Sequence, residues 1–89
     1  MAFKPKTQEY TSEEGGNKYT FQTVLPSVWA KVEDKITDKG GKLLLSVAMP
    51  EMLEKVVVAP QGLVLDDFES WTELEEVTMA AYRFQRKGK

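Results

Sequence analysis

Adjacent carboxylates stand at Asp66–Asp67 and again at Glu75–Glu76, the residue type that general acid–base chemistry uses. A working dyad needs two carboxyl groups that converge, whereas neighbours along a helix or strand point apart. Capping of a helix start accounts for the first pair and solvation for the second. No segment sets acids or amides at alternate positions ahead of a glutamate, as a calcium loop requires. The serines lack an activating base, because the chain contains no histidine. "KGGK" at 39–42 has neither the length nor the Ser/Thr of a phosphate loop. With no cysteine there is no thiolate nucleophile, disulfide or zinc–sulfur site. The chemistry on offer therefore predicts a protein that is not an enzyme and holds no metal or cofactor.

What remains is binding, and the charge pattern bears on it. From Glu51 to Glu76 there are eight acids against one base, and from Arg83 to Lys89 four bases and no acid. Two interpretations follow: a solvated acidic face with a basic tail, or complementary ends that meet between neighbouring copies. Nucleic acid is disfavoured, since the basic cluster is short and the net charge is −2. No apolar run approaches the roughly 18–20 residues of a membrane span, and the N-terminal segment has no apolar signal-peptide core. With no cysteine framework, a cytoplasmic location is expected.

These residues must be carried by a small frame. At 89 residues and 42% hydrophobic content the chain can build one core, without a deep pocket. "NKYTFQTVL" alternates, with Tyr19, Phe21, Thr23 and Leu25 on one side and Lys18, Thr20 and Gln22 on the other. "TQEYTS" pairs with it across "EEGGN", so residues 7–25 are predicted to form a β-hairpin. A helix follows from Pro26 or Ser27, with Val28, Trp29, Val32 and Ile36 in one stripe and a stop at Gly40–Gly41. Leu45, Met49, Met52, Leu53 and Val56 also keep helical spacing, but Pro50 interrupts them; a helix start or restart at Pro50 is predicted, with a longer helix kinked there as the alternative.

That helix runs into "VVVAP". Val57 and Val58 are β-branched and favour extended chain, and Ala59 is pushed out of the α region by Pro60. A turn over "APQG" and a short buried extended "LVL" come next. The last helix opens at Ser70, where "SWTE" has the form of a capping box with Glu73 reciprocating. Trp71, Leu74, Val77, Ala81 and Tyr82 form its inner face, and fraying is expected from Gln85 to Lys87.

The predicted fold is thus α+β: an N-terminal β-hairpin packed on about three α-helices. Residues 7–85 form its single domain, between a flexible stretch at 1–6 and a frayed basic tail at 86–89. On the last helix Met79 projects about 150° from the apolar stripe, with Glu75 and Arg83 one turn to either side. A lone surface methionine needs no function, but methionine also suits contacts with irregular apolar partners. Glu75, Met79, Arg83, Arg86 and Lys87 are the candidate partner-binding residues.

Three stretches, in this order, carry a resemblance. They are "KYTFQTVLPSVWAKVEDK", a strand that passes through a proline into a helix; "EMLEKVVVAP", a Leu-Glu-x-Val-Val-Val-x-Pro run; and "LDDFESWTELEEV", an Asp-Phe leading into the last helix. Together they cover roughly residues 18–80 and resemble the tail assembly chaperones of long-tailed phages and prophages of Gram-positive bacteria. The chain departs from that pattern at "LPS", where such chaperones more often have a Pro-Gly turn, and at Pro50. The resemblance implies a protein of the host cytoplasm, absent from the mature virion, that coats the tape measure protein and helps recruit tail-tube protein. It also implies a longer form made by ribosomal frameshifting near Arg86–Lys89. Homo-oligomers are an expectation of the charge split, with the acids of Glu51–Glu76 meeting the Arg83–Lys89 tail of a neighbour head to tail. The alternatives are a small acidic regulator of the antitoxin or anti-repressor type and a minor structural tail component.

Overall fold

A computed structural model describes residues 4–87. The hairpin forms as the alternation predicts: β1 (Thr7–Thr11) pairs antiparallel with β2 (Lys18–Gln22), and Tyr10 lies directly opposite Tyr19. Gly16 turns the loop at φ 67°, a conformation that a Cβ would disfavour. The helix α1 (Pro26–Ile36) starts on its proline and buries Val32 and Ile36. Trp29 is half-buried against Tyr82, with ring centroids 5.9 Å apart.

The loop after α1 is held tightly. Asp38 Oδ1 accepts from the amides of Gly40 and Lys42, both at 2.9 Å, and the Leu44 amide returns to the Ile36 carbonyl. That closure fixes where α2 (Leu45–Lys55) begins, and it corrects the expected start at Pro50, which lies inside the helix. Six residues into the helix, the missing amide leaves only the Ser46 carbonyl without its i+4 donor. In return the preceding turn buries Ala48 and Met49 completely. Lost apolar burial at about 25 cal/mol per Å² outweighs one exchanged hydrogen bond worth roughly 1 kcal/mol.

The valine run does what its β-branching suggests, and more. Val56 closes α2, and Val57–Ala59 becomes β3, a third strand antiparallel to β2 in the order β1-β2-β3. The Gln22 amide donates to the Val56 carbonyl at 2.8 Å, and an irregularity at Thr20/Phe21 absorbs the helix-to-strand transition. Val56 and Val57 are buried, while Val58 is on the outer side.

Two expectations beyond β3 fail. "LVL" is not a buried strand: Val64 is 57% exposed and a single 3₁₀ turn, Leu65–Asp67, follows, held by Asp67 Oδ2 accepting from the Val64 amide. Trp71, placed by its periodicity on the inner face, is 61% exposed. It is the first residue of α3 (Trp71–Lys87), and a helical side chain leans back toward its own N-terminus, here past the end of the core. α3 also stays helical through Lys87, beyond the expected fraying point. The remainder of the basic tail and of the N-terminal stretch, residues 88–89 and 1–3, lies outside the described residues.

The result is one small α+β domain. Tyr19, Phe21, Val32, Ile36, Leu53, Val56, Leu74 and Val77 share the buried core, as the apolar periodicity predicts. Thr78 stands in it fully buried, its hydroxyl without a hydrogen-bond partner among the described residues. Thr78→Val keeps the shape and removes that uncompensated polar atom, so it is expected to raise stability by about 1 kcal/mol in thermal or chemical unfolding.

Candidate protein-binding site

α3 is a rod whose faces do different things, and the face toward the hairpin is anchored by acids. Ser70 caps the helix, its Oγ accepting from the Glu73 amide at 3.2 Å. Glu73 does not reciprocate as a capping box would. Its side chain is buried and accepts from Asn17 Nδ2 at 2.8 Å and from the Tyr19 hydroxyl. It lies so close beneath the hairpin turn that a Cβ on Gly15 would come within 2.3 Å of Oε1. One turn on, Glu76 accepts from the Tyr10 hydroxyl at 2.5 Å and from the amides of Glu13 and Glu14 at 2.7 and 3.2 Å. The cross-strand pair Tyr10 and Tyr19 thus meets two carboxylates spaced i, i+3 on one helix. Solvation, expected for the Glu75–Glu76 pair, does not describe Glu76.

This clamp has a pH signature. Burial pushes the Glu76 carboxyl upward, but the Tyr10 hydroxyl and the two amides outweigh it, so its pKa lies below the usual 4.5. A carboxylate with a depressed folded-state pKa stabilises the fold above its unfolded value, and that contribution fades as pH falls through the lowered one. Glu76→Gln is therefore expected to show a smaller loss of stability than wild type on acidification below about pH 4.5. Denaturant midpoints measured across that range check it; parallel curves would show that Glu76 does not couple to folding. At the other end, burial and Glu76 together push the Tyr10 phenol up to about 12.

The candidate binding residues are distributed around α3 and not on one face of it. Glu75 and Met79, both half-buried, border an open groove of about 540 Å³ between α3 and the start of α2. Leu43 and Leu45 supply its apolar wall, with Lys42, Thr72 and Glu76 at the margin. Met79 is thus not isolated, and its apolar neighbours come from a loop some 35 residues upstream that helix periodicity does not reveal. Arg83 and Lys87 face another groove, against β1. Arg86 turns toward α1, 3.6 Å from Glu33 Oε1 and 3.0 Å from the Tyr82 hydroxyl. The five residues therefore form three neighbourhoods and not one patch.

Among the described residues no group of three or more acids converges as a metal site, and no helix is long and apolar enough to cross a membrane. The arrangement offers apolar grooves with charged rims. No protein-family model, curated protein or solved structure matches the chain.

Proposed function

We propose that this protein is a non-enzymatic tail assembly chaperone that binds and solubilises the tape measure protein during phage tail morphogenesis. Two things support this. The first is the ordered set of three stretches over roughly residues 18–80 that resembles that group. The second, which carries the mode of binding, is the groove walled by Leu43, Leu45 and Met79. A long helical rod exposes an apolar stripe, and such a stripe aggregates unless covered. An amphipathic helix lays that stripe into an apolar groove, with charged residues at the rim fixing its position. Many bound copies of a chain with net charge −2 also make the rod repel its neighbours.

Co-expression tests the proposal. Rod that is insoluble alone is expected to become soluble and to co-purify with this chain. Met79→Asp puts a charge into the groove at a half-buried position and is expected to abolish co-purification, in a chain whose helical circular dichroism signal shows that it still folds. Rod that stays insoluble with wild type overturns the proposal. Binding that survives Met79→Asp removes the groove as its basis. Stoichiometric amounts of the chain in mature particles would favour the structural alternative.

A further inference from the structure

The two ends of α3 carry surfaces of opposite charge, each with aromatic side chains, that one molecule cannot bring together. At the C-terminal end a groove of about 350 Å³ opens between α3 and β1. Its floor is aromatic: Phe21 stacks on Tyr10 at 5.3 Å and meets Phe84 at 5.8 Å. Arg83 and Lys87, two exposed cations, stand on its rim, and no acid among the described residues lines it. At the N-terminal end the opposite combination protrudes. Trp71 is 61% exposed, and Asp66, Asp67 and Glu69 are exposed just ahead of it.

An exposed tryptophan that follows three exposed acids in the chain matches an aromatic groove with two cations on its rim. Tryptophan packs on tyrosine and phenylalanine rings and also accepts a guanidinium over its face. Twelve residues of helix separate Trp71 from Arg83, about 18 Å at 1.5 Å per residue, so the two surfaces cannot pair within one copy. We propose that the occupant of this groove is a second copy of the chain, entering with its Trp71 and the acids before it. Because the two surfaces are different, the contact is head-to-tail and each copy added leaves a free groove and a free tryptophan. Such a contact builds open chains or closed rings and not a two-fold dimer. It needs no rod, so it stands or falls independently of tape measure binding.

Sedimentation of the full chain alone tests it. Wild type is expected to form species larger than a dimer as protein concentration rises at low salt. It should return toward monomer at high salt, where exposed charges are screened. Trp71→Ser and Arg83→Glu alter exposed side chains, and each alone is expected to be monomeric with an unchanged helical circular dichroism signal. Mixed together, they are expected to give a dimer and nothing larger. The Arg83→Glu chain still offers its tryptophan, the Trp71→Ser chain still offers its groove, and the other pair of ends is disabled. A monomeric wild type under all conditions overturns the proposal. So does association that survives both substitutions, or a mixture that stays monomeric.

Discussion

Leu53→Ala is expected to cost about 2–5 kcal/mol of folding stability, the range for truncating a well-packed leucine. Leu53 is 1% exposed and lies on α2 in the same buried cluster as Met49, Met52 and Val56. Its helix packs on α3 and runs directly into β3, so the cavity opens where both layers meet. At 0.05–0.15 kcal/mol per residue the whole domain has about 4–13 kcal/mol to lose. Loss at the upper end therefore leaves a large unfolded fraction at room temperature. Chemical denaturation should show a lower midpoint with an unchanged slope. Val58→Ala supplies the contrast. Val58 belongs to the same valine run but is 38% exposed, and its truncation should change stability by no more than about 0.5 kcal/mol. A loss below about 1 kcal/mol at Leu53 would show that the cluster is loosely packed there.

The second large effect is at Glu73. Glu73→Ala removes the acceptor of a buried tyrosine hydroxyl and of the Asn17 amide, and orphaning such groups costs about 1–3 kcal/mol. Tyr19→Phe removes the same hydrogen bond from the other side. If the two residues act as one unit, the double variant loses less than the sum, with a coupling of about 0.5–3 kcal/mol. Glu75→Ala, two residues along the same helix and with no hydrogen bond to the hairpin among the described residues, should stay within about 0.5 kcal/mol of wild type. Additive losses at Glu73 and Tyr19 would show that the clamp does not hold the hairpin to α3. Gly15 belongs to the same device, since any side chain there displaces the Glu73 carboxylate from beneath the turn.

The proposals divide the exposed surface of α3 by use. The groove beside Met79 is assigned to a partner helix, and the groove between Arg83, Lys87 and β1 to a second copy. The clamp of Glu73 and Glu76 matters to both. It holds the hairpin on α3, and Tyr10 of that hairpin forms part of the second groove's floor. Weakening the clamp at Glu73, which lines neither groove, should therefore loosen self-association before it affects the Met79 side.

Local pattern was enough for the parts of this protein whose partners are local. A two-residue alternation placed Tyr19 and Phe21 inward on β2, and a 3.6-residue stripe placed Val32, Ile36, Leu74 and Val77 in the core. The absence of histidine and cysteine likewise narrowed the chemistry before any fold was known. Docking decided the rest. Glu73 looked like a capping residue because Ser70 stands three positions away, yet its partners are Asn17 and Tyr19, more than fifty residues distant. α2 runs through Pro50 because burying Ala48 and Met49 against the core outweighs one lost backbone bond, a comparison that needs the neighbouring elements in place. Trp71 kept the right periodicity for the interior and still ended outside, since periodicity specifies a helix face but not where along the helix the core stops. Whether a residue with the correct spacing is buried, paired or left for a partner depends on what the rest of the chain packs against it, and that only the tertiary structure decides.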